Sequence, residues 1–160
     1  MAEREQAPGS NFEPDIVLLF CQHCVGSDVR PVDSIRKADG FAVRTVVMPC
    51  SSKVESRQIV KLLEKGADGI QIVGCPDGSC RFLVGSNRAE RRVAYVRKIL
   101  EEIDYGAQRV GIAREAGLTE EGLMALAAER ADKVRPLGRS PMKERDASPE
   151  TMNLEPAAGV

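Results

Sequence analysis

Asp15-Ile-Val-Leu-Leu-Phe-Cys21, followed at once by Gln22-His23-Cys24, is the stretch from which the fold of this chain is read. A short run so nearly continuous in apolar residues is expected of a strand buried on both faces, as in a parallel sheet covered on each side. Working outward, the same kind of segment recurs. Ala42–Met48, ended by Pro49, reads as a second strand, Gly69–Gly74 as a third, and Gln108–Ala113 as a fourth, short and interrupted by Gly111.

Helical spacing fills the intervals. Val32–Ala38 is a short helix candidate with Ile35 and Ala38 on one side. Glu55–Lys65 sets Ile59, Leu62 and Leu63 along one face, and Gly66 follows as a stop. Asn87–Ile103 repeats apolar residues at Ala89, Val93, Val96, Leu100 and Ile103, with Asn87 as the expected N-cap. Thr119–Val134 is the last helix, with an acidic first turn before Leu123, Leu126 and Ala127. Alternation of strand and helix predicts an α/β fold. The expected form is a small, open, mainly parallel sheet of about four strands flanked by helices, Rossmann- or flavodoxin-like.

The 160 residues suit one domain. It is expected over residues 15–138, with an N-terminal arm at 1–14 and a Pro-rich, charged C-terminal tail at 139–160. Formal net charge is −1, which gives no general electrostatic case for nucleic acid. No transmembrane segment is expected, since the longest apolar run, Ile16–Cys21, falls far short of the ~20 residues that cross a bilayer. The Met-Ala-Glu-Arg-Glu-Gln start lacks a secretory layout, so the chain reads as cytoplasmic. In a reducing compartment five cysteines point to metal or redox chemistry rather than a disulfide framework.

Those cysteines fall in a pattern. Cys21 and Cys24 follow the first strand, Cys50 the second, and Cys75 and Cys80 the third. Parallel strands end on one sheet edge, where open α/β sheets bind ligands. Cys21-Gln-His-Cys24 has the spacing that turns two thiolates onto one metal centre, and Gly74-Cys75-Pro76-Asp77-Gly78-Ser79-Cys80 is a tight turn able to aim backbone N–H groups inward. Arg81, Arg88, Arg91 and Arg92 come next, near a helix start that would favour an anionic centre. Other readings of the same residues are a structural zinc site, a catalytic dithiol at Cys21 and Cys24, and buried small hydrophobes. His23, the single histidine, could ligate iron, but with five thiols at hand an exposed hydrogen-bonding role is preferred. Arg88, Arg91, Arg92, Arg97 and Lys98 could meet a partner's acidic surface, or form a solvated helix face. Tyr95 is read as packing. No dinucleotide fingerprint or Walker lysine supports a nucleotide site.

The C-x2-C pair, Val47-Met-Pro-Cys50, the run Lys65-Gly-Ala-Asp-Gly-Ile-Gln-Ile-Val-Gly-Cys75-Pro-Asp-Gly-Ser-Cys80 and Gly85-Ser-Asn-Arg-Ala-Glu-Arg-Arg92 together resemble the methyl-viologen-reducing hydrogenase delta subunit family, over about residues 15–138. The resemblance implies a [2Fe–2S] electron-transfer protein without chemistry of its own on a substrate. Its implied partners are a flavin-containing protein of the heterodisulfide-reductase type and a second redox module. That module would be a hydrogenase, a formate dehydrogenase or a low-potential reductase such as the benzoyl-CoA type, in a complex that can be electron-bifurcating. Cys21, Cys24, Cys50, Cys75 and Cys80 match the family's five cysteine positions. Ser51-Ser-Lys53 stands where Ser-Gly-Arg is usual, Pro76-Asp-Gly-Ser79 replaces His-Pro-Gly-Asp, and Gln22-His23 replaces a pair containing Trp. Four ligands are needed. The two paired motifs, Cys21, Cys24, Cys75 and Cys80, are the expected set with Cys50 as a fifth thiol; a set that includes Cys50 is the alternative. The rival functions are a zinc-stabilised adaptor and a thiol–disulfide oxidoreductase using Cys21 and Cys24.

Overall fold

The structure is a computed structural model and describes residues 12–30, 33–81 and 83–145. Five strands form one sheet: β1 (Asp15–Cys21), β2 (Ser34–Ala38), β3 (Phe41–Met48), β4 (Gly69–Gly74) and β5 (Val110–Arg114), in the order β2-β3-β1-β4-β5. β1 lies at the centre and runs parallel to β3 and β4, and β5 continues the parallel set beside β4. The expected α/β class and mainly parallel sheet are found, with five strands in place of four.

The extra strand is β2, in the stretch read as a helix. Its end pairs antiparallel with β3, Ala38 opposite Phe41, so Asp39 and Gly40 form a two-residue hairpin turn with Gly40 at φ 82°. Asp-Gly is a strong hairpin signal, because such turns need positive φ. The three-residue spacing of Ile35 and Ala38 misleads: on this edge strand Ile35 faces solvent, 76% exposed. Val32, where the helix was expected to start, is outside the described residues.

Side-chain alternation along β1 divides the core. Ile16, Leu18 and Phe20 pack with Phe41, Val43 and Val73 beneath α3 (Glu120–Val134), through Leu123, Ala127, Ala131 and Val134. Val17 and Leu19 point the other way, with Ile70, Ile72 and Val110, against α1 (Ser56–Glu64) and α2 (Gly85–Glu102). Thr119 caps α3, its side chain accepting from the Gly122 N–H. α2 begins earlier than expected, with Val84 and not Asn87 at the N-cap. Asn87 instead uses its side-chain oxygen to accept from Arg114.

At the opposite, N-terminal edge of the sheet a buried carboxylate ties three segments together. Asp68 is fully buried and accepts from the Asp15 N–H (2.9 Å), the Ser140 N–H (2.7 Å) and Lys143 Nζ (2.8 Å). Residues expected as tail are thereby drawn onto the domain, and Pro141–Arg145 forms a short helix, α4. Buried Arg109 completes the clamp, donating to the carbonyls of Tyr105, Asp68 and Gly138. The cysteines lie at the other, carboxyl edge of the parallel strands. No described helix is long and apolar enough to cross a membrane.

Candidate metal centre

Cys21 is the last residue of β1, directly beside Met48 of β3, and the parallel register carries β4 to Gly74 on the same edge. Cys24 is placed by a turn, its N–H donating to the Cys21 carbonyl at 3.0 Å. The loop is then tied to the start of α3, where Leu118 N–H donates to the Cys24 carbonyl and Gly26 N–H to the Leu118 carbonyl, each at 2.9 Å. The result is a tight sulfur group. The Sγ atoms of Cys21, Cys24 and Cys75 all lie within 4.8 Å of one another, with Cys24 to Cys75 at 3.7 Å and Cys75 to Cys21 at 3.9 Å.

Cys50 and Cys80 meet at a second point, the first residue of α2. A Cβ built on Gly85 would stand 2.5 Å from the Cys50 sulfur and 3.0 Å from that of Cys80, so both sulfurs press on a residue with no side chain. The five sequence-predicted sulfurs are therefore arranged as three and two on one edge, all buried. Ser52 Oγ donates to Cys50 Sγ at 3.2 Å. Ser51 Oγ is buried without a hydrogen-bond partner among the described residues, and lies 3.2 Å from the Cβ position of Gly74. Leaving a buried hydroxyl unpaired costs free energy, so its presence points to a group not yet counted.

The sulfurs shift one another's titration. The Cys24 thiol hydrogen-bonds to Cys21, and against the opposing effect of burial this, with the His23 N–H and the Cys75 thiol, lowers Cys21 to about 5. Cys24 is pushed strongly upward by the same contact and by burial. Burial raises Cys75 to about 11, with the nearby Cys21 and Cys80 sulfurs adding to it. Of the three, Cys21 is the thiol most readily turned into the thiolate that binds a metal.

Two arginines brace the loops. Arg114, at the end of β5, donates to the Cys75 carbonyl (3.3 Å), Asp77 (2.6 Å), Ser86 (3.0 Å), Asn87 (2.9 Å) and Glu90 (3.1 Å), and so joins the Cys75–Cys80 turn to the start of α2. Sequence reasoning missed this residue. The signal was available, since Arg114 ends a parallel strand on the same edge. Arg92 donates to the carbonyls of Ser52 and Val54, fixing the loop after Cys50, while Arg81, Arg88 and Arg91 are exposed. In the glycine turn the Ser79 N–H bonds the Pro76 carbonyl rather than pointing inward. His23 is half-buried beside Gln22, and Tyr95, expected to pack, is 59% exposed.

An iron–sulfur centre fits this donor set. Three sulfurs from two loops converge, two more adjoin a helix start, all five are buried, and Ser51, next to Cys50 in sequence, keeps a buried hydroxyl with no partner among the described residues. Cysteine thiolates are the ligands such centres require.

Comparison with known proteins agrees. The family described as methyl-viologen-reducing hydrogenase, delta subunit, matches residues 16–138. The iron-sulfur subunit of an F420-non-reducing hydrogenase from Archaeoglobus profundus is 35% identical over 112 residues, covering 70% of this chain and 80% of that protein. The vhu iron-sulfur subunit of an F420-non-reducing hydrogenase from Methanocaldococcus jannaschii is 26% identical over 129 residues, covering 80% of this chain and 96% of that one. One subunit of a Ferredoxin/F(420)H(2)-dependent CoB-CoM heterodisulfide reductase from Methanosarcina acetivorans is 26% identical over 109 residues, which cover 67% of this chain and 14% of that protein. From the start of the central strand to the turn that follows α3, and through all five cysteines, this chain belongs to the methyl-viologen-reducing hydrogenase delta subunit family.

Proposed function

We propose that this chain holds one [2Fe–2S] cluster on Cys21, Cys24, Cys75 and Cys80, with Cys50 as an adjacent fifth thiol. In this reading it relays single electrons between a flavin-containing protein of the heterodisulfide-reductase type and a second redox module in the cytoplasm. That module is a hydrogenase, formate dehydrogenase or low-potential reductase of the benzoyl-CoA type, in a complex of the kind able to bifurcate electrons. The observation that carries the proposal is the convergence of Cys21, Cys24 and Cys75 within 4.8 Å. Cys80 is taken as the fourth ligand because it shares the loop after β4 with Cys75, as Cys24 shares the loop after β1 with Cys21, while Cys50 stands alone on its loop beside the same Gly85. Support for the partners comes from the relatives: several are named as hydrogenase subunits, and a stretch similar to this chain lies within a protein named as part of a heterodisulfide reductase.

When bound, such a centre accepts one electron and gives one up, with no bond made or broken in a substrate. The chain's own residues do the rest. Cys21, Cys24, Cys75 and Cys80 would hold the irons as thiolates, and because Cys24 and Cys75 are raised, their loading would release protons. Burial excludes water and oxidants, and Arg114 and Arg92 keep the cysteine loops in place.

A dithiol enzyme would need an accessible C-x2-C, but Cys21 and Cys24 are 2% and 0% exposed. A zinc adaptor would be colourless. Serine replacement of each cysteine, followed by iron analysis, tests the ligand set: iron is lost from the Cys21, Cys24, Cys75 and Cys80 variants and kept in Cys50→Ser. Loss of iron in Cys50→Ser, or its retention in Cys80→Ser, overturns the assignment.

A further inference from the structure

Just outside the sulfur site the chain presents apolar residues to solvent. The Leu83 N–H donates to the Cys80 carbonyl at 2.9 Å, and this turn holds Leu83 at φ 64°, with its side chain 83% exposed. Val84 beside it is 44% exposed. A leucine in left-handed conformation is costly, and folding toward the core would recover apolar burial, so a strained, outward leucine marks a functional surface. It lies one residue from Val84 and two from Gly85, against which the Cys50 and Cys80 sulfurs rest.

Basic residues continue this face along α2. Val84, Arg88, Arg91 and Tyr95 recur at helical spacing, the Arg88 N–H bonding the Val84 carbonyl, and Arg88, Arg91 and Tyr95 are exposed. Arg81 is exposed on the other side of Leu83. Among the described residues no ion pair joins Arg81, Arg88 or Arg91 to a carboxylate. The nearby acids, Asp77 and Glu90, are both held by Arg114. In a chain of net charge −1, three uncompensated cations are thus gathered around an apolar knob. An apolar centre with a charged rim and an available Tyr and Arg is the make-up of a protein interface, whereas nucleic acid would call for a wider basic field.

We infer that Leu83 and Val84, rimmed by Arg81, Arg88 and Arg91, form the docking face for an acidic redox protein, whose own centre is brought against the start of α2. This rests on the electron-relay reading and adds to it the place and charge of the partner's surface. The one electron transferred passes between the partner's centre and that of this chain, with no other reactant.

The probe is an acidic plant-type ferredoxin, and the test compares wild type with the double variant Arg88→Glu, Arg91→Glu, neither residue being part of the cysteine site. Binding is measured by calorimetry at low and high salt, and electron transfer from the reduced ferredoxin by stopped flow. The methyl viologen radical cation serves as a small, positively charged control reductant. Wild type is expected to bind the ferredoxin at low salt and to lose affinity as salt rises. The double variant is expected to bind and react at least tenfold more weakly, with its reduction by the methyl viologen radical cation undiminished. Leu83→Ser is expected to weaken binding without changing its salt dependence. Equal binding by wild type and double variant, or no wild-type binding at low salt, overturns the docking face. Iron and sulfide analysis of the same samples tests the relay reading separately, since binding is read whether or not iron is present.

Discussion

The sulfur of Cys50 lies so close to the backbone of Gly85 that a Cβ at position 85 would stand 2.5 Å from it, inside any tolerated contact. The same Cβ would crowd Cys80, so one missing methyl group lets two cysteine loops reach the start of α2. Gly85→Ala is expected to destabilise the fold by about 1–3 kcal/mol. It should also lower metal content, read as iron per chain in anaerobically purified protein. A variant as stable and as iron-loaded as wild type would show that the two sulfurs are free to move away.

Ser51 bears on the site differently, because its buried hydroxyl has no partner among the described residues. A hydroxyl donating to a cluster sulfur favours the more negative, reduced state. Ser51→Ala is therefore expected to leave stability unchanged or slightly raised and to lower the reduction potential. A tenfold change in the one-electron equilibrium corresponds to about 59 mV. A spectroscopic redox titration checks it, and an unchanged potential would mean that the hydroxyl bonds something else.

Cys21 supplies a pH signature of the metal-free, reduced protein. An unfolded cysteine titrates near 9.0, whereas Cys21 is lowered to about 5. A lowered value adds stability that is fully present above pH 9 and disappears as pH falls through 5. Thiolate ultraviolet absorbance is expected to show one titration step near pH 5. The step should be absent from Cys21→Ser and altered in Cys24→Ser, which removes the leading hydrogen-bond donor.

The sheet's other edge yields a stability test. Asp68→Ala removes the acceptor shared by Asp15, Ser140 and Lys143, and is expected to cost about 3 kcal/mol in denaturant unfolding. Burial alone would lower the pKa of Lys143, but Asp15 and Asp68 outweigh it and raise the value above the ordinary 10.5. Its contribution is thus complete below pH 10.5 and is lost as pH rises through the higher folded value. The stability difference between wild type and Lys143→Met should be flat across neutral pH and shrink only in strong alkali.

Strand and helix order and the gathering of cysteine loops on one edge were legible in the sequence, because apolar runs such as Ile16–Phe20 and stops such as Gly66 report local physics directly. β2 was not, since five residues on an edge, with Ile35 exposed, carry no burial pattern and the Asp39-Gly40 turn was the only clue. Nor was the docking of the Ser140 segment, which depends on one buried carboxylate 72 residues away. In the site, the three-and-two division of sulfurs depends on the contact with Gly85, and the brace of Arg114 on a strand end. Neither relation is local in sequence.

The central claim is tested most directly by anaerobic purification, metal and sulfide analysis, and electron paramagnetic resonance after dithionite reduction. About two irons and two acid-labile sulfides per chain, with a one-electron paramagnetic signal on reduction, are the expected result. A colourless protein holding zinc, or a metal-free protein with no signal, would contradict it.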